Sequence, residues 1–315
     1  FASATNNIVV TDTINKSVIK GHYAEVYRAK DSVFITKRAV AISIQNQDSV
    51  YIHADKLMVT GPEDDRIVRG FYDVRLFKSD LSGRCDSIIT RQSTGLTKMI
   101  TQPVLWSGKS QLTGDSIHIQ SNTKTEKLDS LRVFYNAFII DQDSSGGFNQ
   151  IKGKELLGKF NDSSELEVVN VNKNVENLVY SRNEEQQLIG INKGTSGRME
   201  ILFDNKEMSI ITNLDNVEDI TYPPDELPEN ARTLRGFIWR GDEMIATKED
   251  LFKGKPAPVL TPIQGIPLPQ IEEDFFKQDK KFEINENSRL KEKDLKTRAT
   301  DTPDYIRKKK AGNEG

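Results

Sequence analysis

The stretch DSVFITKRAVAISIQNQDSVYIHADKL, residues 31–57, decides the fold, because it contains two copies of one short phrase. Each copy is Asp-Ser followed by alternating apolar residues, as in DSVFI (31–35) and DSVYI (48–52). Asp and Ser favour turns, and an apolar period of two residues is typical of a half-buried strand. Each copy therefore predicts a turn that enters a strand.

Three further copies follow, namely DSIIT (86–90), DSIHI (115–119) and DSLRV (129–133). Repeated strand units bury their apolar faces by stacking on one another. The spacing between the copies is irregular, which favours a meander with loops of varied length over a strict solenoid. The sequence therefore predicts an all-β, antiparallel fold of stacked strands, and a closed sandwich would give the same pattern.

The composition of the 315 residues excludes several classes of protein. A net charge of −3 gives no electrostatic case for nucleic-acid binding. No run of eighteen apolar residues is present, so no membrane-spanning helix is expected, and no signal peptide is recognised. The chain opens at Phe1, so we expect the native start to be missing. The single cysteine, Cys85, excludes an intrachain disulfide and is expected to be a small strand residue.

The pattern along the chain predicts one large β domain and a different C-terminal region. Residues 1–252 are strand-like, with two possible sub-blocks at about 1–142 and 148–252. Five prolines predict an extended linker at 253–269, and mixed charges predict a disordered tail at 270–315. Within the domain, GTSG (194–197) is interpreted as a hairpin turn.

The sequence offers little catalytic chemistry. His22, His53 and His118 lie in strand patterns without metal-ligand spacing, and His53 with Asp55 lacks a third ligand. No nucleophile elbow or phosphate loop is present. We therefore predict no catalytic residue, no metal and no cofactor. A carbohydrate-active β enzyme stays open as an alternative, and it would need two converging carboxylates.

Several longer units resemble the OstA-like (organic solvent tolerance) family, which is related to LptA-like periplasmic lipopolysaccharide-transport proteins. They include VTDTINKSVIKGHYAEVY (10–27), IHADKL (52–57), FNQIKGKELLGKF (148–160) and LPENARTLRGFIWRGDE (227–243). The resemblance covers about residues 6–252. It implies an antiparallel β-jelly-roll, or β-taco, in the periplasm, with association with the outer membrane left open, and without cofactor or catalysis. The chain resembles the C-terminal portion of such a protein.

Two strand layers that fold over each other without closing would line an apolar groove. Such a groove suits the acyl chains of lipid A, since each buried methylene contributes about 0.8 kcal/mol. Open edge strands would pair with other jelly-roll transport proteins. The alternative is a structural module that pairs edge to edge with a filled interior and binds no lipid. The candidate groove residues are Val33, Ile35, Val50, Ile52, Phe77, Trp106, Ile117, Ile119, Leu131, Val133 and Phe138.

Overall fold

The computed structural model describes residues 1–13, 16–44, 49–62, 64–204, 207–269 and 276. The chain divides into two compact units, Phe1–Pro269 and Gln270–Gly315. The second unit is described only at Phe276, so the tail predicted at 270–315 lies otherwise outside the described residues. All that follows concerns the first unit.

The first unit is built from eighteen strands, and every strand pairing among its described residues is antiparallel. These residues contain no α-helix, only short 3-10 turns. The all-β, antiparallel class of the β-jelly-roll type predicted from the sequence is therefore confirmed. The strands are β1 Ala2–Asp12, β2 Ser17–Tyr27, β3 Ser32–Thr36, β4 Val40–Ile44, β5 Ser49–His53, β6 Lys56–Thr60, β7 Ile67–Lys78, β8 Leu81–Arg91, β9 Leu96–Ile100, β10 Val104–Ser107, β11 Ser110–Thr113, β12 Ser116–Ser121, β13 Leu128–Gln142, β14 Phe148–Phe160, β15 Leu166–Arg182, β16 Leu188–Asp204, β17 Glu207–Leu214 and β18 Glu218–Tyr222.

The long strands bend near their middle, and this bend divides the sheet into two layers. In β7, for example, residues 67–71 pair with β6, whereas residues 75–77 pair with β5. Layer A contains β3, β6, β9, β12 and β17, and layer B contains β4, β5, β10, β11 and β18. Each long strand contributes one half to each layer.

The bend is made by pairs of residues in the left-handed backbone region. Tyr72 and Asp73 have φ of 64° and 44°, and the register of β7 against β8 shifts at the same place. Tyr135 and Asn136 do the same in β13. The left-handed region is uncommon for residues other than glycine, although Asn and Asp tolerate it best. Equivalent pairs stand at 6–7, 37–38, 101–102, 173–174 and 215–216.

Glycines leave room for core side chains beside the bend. A Cβ at Gly70 would lie 2.9 Å from Cγ2 of Ile88, its partner on the adjacent strand, and 3.1 Å from the Cβ of Ala54. A Cβ at Gly83 would lie 2.7 Å from Leu105 Cδ2 in its own layer and 3.1 Å from Met99 Cε in layer A. A larger residue at Gly83 would therefore displace core side chains of both layers.

One apolar core lies between the layers. It joins layer A residues such as Ile88 and Ile117 to layer B residues such as Val74, Leu105 and Ile151. Because side chains alternate along a strand, their sequence neighbours point to the outer faces of the sheet. Each layer thus has an inner face, turned toward the other layer, and an outer face.

The chain after β18 returns along the outer face of layer B as an extended segment, residues 223–262, which we call the strap. Leu234 packs on β14 and β15, Glu243 bonds to Arg84 of β8, and Phe252 contacts His53 of β5. Thr261 then exchanges two hydrogen bonds of 2.9 Å with Asn6 of β1. The strap therefore reaches from the last strand back to the first.

Several local expectations differ from the structure. Ser32 and Ser116 begin strands as predicted, but Asp86 and Asp129 lie inside β8 and β13. Asp86 stands at the bend, where its amide donates to the carbonyl of Thr101. GTSG (194–197) is not a hairpin turn either, because it crosses the bend within β16.

The first part of the proline-rich segment predicted as a linker, 253–269, belongs to the strap. Lys255 pairs with Asp55 and Asp73 of the bend. The sheet also runs without interruption through the suggested sub-block boundary, since β13 pairs with β14 across the turn at 143–147.

Candidate functional site

The space between the layers is filled beside the bend and open at the opposite side, which we call the mouth. Two adjoining cavities, of about 140 Å³ and about 370 Å³, lie there. Both are lined by residues of both layers, and both touch Leu81, Leu128 and Ser164. They therefore form one groove along the mouth, narrowed where these three residues meet.

The first cavity is strongly apolar. Layer B contributes Leu105 and Leu112, and layer A contributes Leu156, Phe160 and Met208. Strand alternation explains this lining, because each of these side chains has the inward phase of its strand. A hydrocarbon chain in this cavity would therefore contact mainly apolar side chains.

The second cavity has an apolar floor and a polar rim. Val50, Ile52 and Leu76 of layer B face Ile119 of layer A. The rim includes Lys16, Lys78, Arg91, Gln92 and Glu126, which stand in the turns at the strand ends. An amphiphile could therefore place its chain on the floor and its polar head at the rim.

One ion pair crosses the mouth above the second cavity. Lys16 Nζ, in the turn between β1 and β2, lies 3.4 Å from Glu126 Oε1, in the turn between β12 and β13. Both side chains are more than one-third exposed, so water screens the attraction. At the narrowing, the amide of Leu128 donates to Ser164 Oγ over 3.1 Å.

The structure places most of the predicted groove residues on the inner faces. Ile35, Ile117, Ile119, Leu131 and Val133 are buried in the core between the layers. The other three, Val33, Val50 and Ile52, are half-buried and pack against that core. Of these eight, Val50, Ile52, Ile119 and Leu131 line the two cavities.

The remaining three predicted residues have the outward phase of layer B, although Trp106 also lines the first cavity. The Phe77 ring packs against Tyr51 at a tilt of 45°, with ring centres 6.3 Å apart, and its neighbour Leu76 points inward. The Trp106 ring donates to Gln111, whose amide bonds to the strap at Ile238. Phe138 packs under the strap in a second, outer cluster. Each of the three has the opposite phase to an inward neighbour on its strand.

The sequence reasoning missed much of the lining. Leu112, Leu128, Leu156, Phe160 and Met208 line the first cavity but follow no Asp-Ser phrase. The signal that could have found them is the inward phase of the units PVLWSGKSQLTG and FNQIKGKELLGKF, continued across neighbouring strands.

The ionisable residues of the fold serve its packing. Burial lowers the pKa of His53 to about 4, and its Nδ1 lies 2.7 Å from the carbonyl oxygen of Ala39. Burial raises the pKa of the Cys85 thiol to about 12, which leaves it unreactive at neutral pH. Among the described residues, no group of three or more His, Cys, Asp or Glu could hold a metal ion.

Beside the bend, Asp73 lies within an ionic cluster that binds the strap. It accepts hydrogen bonds from Arg75 and Arg84, each at 2.9 Å, and pairs with Lys255 at 2.8 Å. Burial alone would raise the pKa of Asp73, but these three cations outweigh it and hold that pKa well below its usual range. Arg75 also donates to the strap carbonyl of Lys253 over 2.7 Å.

Comparison with known proteins gives little further identification. No family model and no curated protein matches the chain. Among solved structures, it is similar to LptH from Pseudomonas aeruginosa, described as the LptA homologous periplasmic component of the conserved lipopolysaccharide transport device. The match has 10% identity and a TM-score of 0.34, and it covers 46% of this chain and 99% of that chain. In the described ranges, no helix is long and apolar enough to cross a membrane. A likeness at this level identifies neither the family nor the function of the chain.

Proposed function

We propose that the protein is a non-enzymatic carrier that holds the acyl chains of lipopolysaccharide in the groove between its layers. The observation that carries the proposal is the position of the two cavities. They adjoin along the mouth. The smaller cavity has mainly apolar walls, and the larger one has an apolar floor, which includes Val50, Ile52, Leu76 and Ile119, below a polar rim. The larger cavity, about 370 Å³, falls within the range of about 300–1,000 Å³ that is usual for ligand pockets.

In this mechanism the chain supplies a surface and no reaction. Acyl chains would replace water against Leu76, Ile119 and Leu131, while the phosphates and sugars of lipid A remain in water at the rim. The resemblance of the sequence to OstA-like proteins supports lipopolysaccharide as the lipid, and it supports a periplasmic location in a transport bridge to the outer membrane. The lining residues we propose are those that face the cavities, including Val50, Ile52, Ile119 and Leu131.

The assembly of such a bridge would use the sheet edges. In the described part of the chain, β1 pairs with β2 alone, and β17 and β18 pair only with β16. The last edge also exposes Ile210 and Ile220, at 53% and 57%. Strand edges of this kind invite pairing with another sheet. This observation also supports the second candidate, a structural module that joins other jelly-roll proteins without holding lipid.

The proposal is tested by filling the groove. In Leu128→Trp a large ring occupies the narrowing between the cavities, and the matched control Leu157→Trp places the same ring on the outer face of layer A. Native mass spectrometry with purified lipopolysaccharide should show lipid bound to the wild type and to Leu157→Trp. Leu128→Trp should lose most of the complex at an unchanged melting temperature.

Equal lipid capture by both variants would contradict a groove site. No lipid capture by any of the three proteins, together with end-to-end oligomers in analytical ultracentrifugation, would favour the structural module instead.

A further inference from the structure

Six adjacent strands of layer A, in the spatial order β6, β7, β8, β9, β12 and β13, have a basic outer face. In these strands Leu57, Ile88, Met99, Ile117 and Val133 point inward to the core. Their sequence neighbours therefore point outward. We call this surface the basic face. Its cations are Lys56, Arg69, Lys98 and Arg132, and His118 lies among them.

The residues of the basic face are neighbours across the strands. The register pairs Lys98 with His118 and His118 with Arg132. Burial, followed by the charges of Lys98 and Arg132, lowers the pKa of His118, so this ring is neutral near pH 7. The positive charge therefore comes from the lysines and arginines, with Lys98 and Arg132 on either side of the His118 ring, where an external anion would meet both.

Acidic side chains do not neutralise this face within the six strands, all of which are described. Asp73 and Asp86 of these strands lie at the bend, and Asp141 lies in layer B. In the layer A halves the one acid is Asp129, which has the same phase as the inward Leu131 and lies at the mouth.

Two outward acids stand at the margins. Glu25 accepts hydrogen bonds from Tyr23 and Tyr27, and it is near enough to Lys56 for that charge to help lower the pKa of Glu25. Glu155 pairs with Lys173 at 2.9 Å. Glu25 therefore offsets part of the charge at Lys56, the margin of the face, and leaves that of Lys98 and Arg132.

Apolar side chains lie between the cations. Met58, Ile89 and Ile100 share the outward phase and are half-buried. The Phe134 ring lies 4.6 Å from that of His118, centre to centre. Six strands about 4.8 Å apart make a surface about 24 Å wide. Binding at a lipid headgroup layer grows with both apolar area and positive charge, whereas a soluble polyanion would need the charge alone.

The strap leaves this face uncovered. Its hydrogen bonds go to layer B, as at Gln111 and Gln150, or to the bend, as at Lys37 and Asn6. Among the described residues of the strap, none bonds to the outer face of layer A.

We propose that the basic face is a docking surface for an anionic lipid bilayer. The protein would lie with layer A against the headgroups, with Lys98 and Arg132 near the phosphates and Ile89 and Phe134 at the level of the glycerol backbones. This contact is separate from the groove, whose lining faces the other side of the same layer.

Co-sedimentation with vesicles tests the proposal. The wild type should sediment with phosphatidylcholine vesicles that contain about a quarter phosphatidylglycerol. With vesicles of pure phosphatidylcholine, the protein should stay in the supernatant. Raising the salt from roughly 50 mM to roughly 500 mM should release it, because screening shortens the reach of surface charge. Lys98→Glu with Arg132→Glu should weaken binding about tenfold or more, since each cation near the surface contributes about 1 kcal/mol.

Three controls distinguish binding by the basic face from effects of net charge, of misfolding and of the groove. Lys109→Glu with Lys253→Glu makes the same charge change on exposed side chains away from layer A and should bind vesicles like the wild type. The neutral pair Lys98→Gln with Arg132→Gln should give an intermediate affinity, even if the reversed pair folds poorly. Leu128→Trp should sediment with vesicles like the wild type, so that failure of the groove proposal leaves this result unchanged.

Two results would overturn the proposal. One is a wild-type protein that does not sediment with anionic vesicles at low salt. This result overturns the proposal even if the protein binds beads coated with polyglutamate, a polyanion without a lipid surface. The other is equal loss of vesicle binding in the basic-face pair and in the control pair, which would assign the effect to net charge.

Discussion

The two layers have the same alternation of side chains along their strands, but their outer faces differ in polarity and in exposure to solvent. In layer B the outer face is apolar, with Phe138, Ile140, Leu178 and Ile191 buried in a cluster that includes Leu234 of the strap. In layer A the outer face carries the basic face and is half-exposed. Both inner faces are apolar, yet only their bend-side halves are fully packed.

The comparison explains the buried polar residues. Gln150 is 1% exposed, and its side chain donates to the carbonyl of Arg232 and accepts from the amide of Leu234. Gln111, also 1% exposed, accepts from the amide of Arg240 and donates to the carbonyl of Ile238. A buried amide must be hydrogen-bonded. The strap therefore supplies layer B with backbone partners where layer A has solvent.

The largest expected effect separates the two outer faces directly. Ile140→Ala, under the strap, should destabilise the protein by about 2–5 kcal/mol, because it leaves a cavity in a packed cluster. Ile89→Ala, at a half-exposed outward position of layer A, should cost about 1 kcal/mol or less. Urea denaturation gives both values. Equal losses would mean that the outer face of layer A is covered as fully as that of layer B.

The next effect concerns His53, which the strap buries against Phe252. Its pKa is about 4 in the folded chain and 6.5 in the reference state, so the unfolded chain binds more protons between these values. Stability is therefore full above about pH 6.5, falls between pH 6.5 and pH 4, and loses about 3 kcal/mol at most from this group. His53→Gln keeps a donor for Ala39 and should flatten that part of the pH profile. If the unfolding midpoints of His53→Gln depend on pH in the same way as those of the wild type, the burial of His53 is contradicted.

Asp73 contributes in a lower pH window. Its lowered pKa stabilises the fold above the reference value of 3.8, and this stabilisation is lost as the pH falls further. Asp73→Asn should cost about 2 kcal/mol near neutral pH, since it weakens charged hydrogen bonds from Arg75 and Arg84. The difference between variant and wild type should shrink toward about pH 2. Limited proteolysis at the strap should also become faster in the variant.

The smallest effect is at the mouth. Glu126→Gln removes the ion pair with Lys16, which is solvent-exposed, and should cost less than about 1 kcal/mol. The loss should disappear in high salt. A larger, salt-independent loss in thermal unfolding would show that this pair holds the layers together.

The alternation of side chains was the part of the fold that could be predicted from the sequence. The phase after each Asp-Ser phrase assigned Ile35, Ile117 and Val133 to the inner face, where the structure has them. The phase also places Phe138 under the strap, opposite to the inward Ile139. An apolar run with no alternation, such as the one around Phe138, is typical of a strand buried on both faces.

The bend and the strap could not be predicted in this way. The bend depends on left-handed pairs such as Lys173-Asn174, and an x-Asn pair inside a strand resembles an ordinary turn signal. The strap makes its contacts with strands up to 255 residues earlier, as from Thr261 to Asn6. Local patterns carry no information about such a pairing, and the prolines of the strap indicated only an extended chain.

The central claim is that inward positions near the mouth touch lipid and that their outward neighbours do not. Photo-crosslinking with a benzophenone amino acid tests it at two adjacent residues of β5, the inward Ile52 and the outward Tyr51, and at Ile119 in the facing layer. With purified lipopolysaccharide, the groove predicts lipid adducts at Ile52 and Ile119, and at Tyr51 only crosslinks within the chain, to the strap near Lys248. Lipid adducts at Tyr51 with none at Ile52 and Ile119 would contradict it.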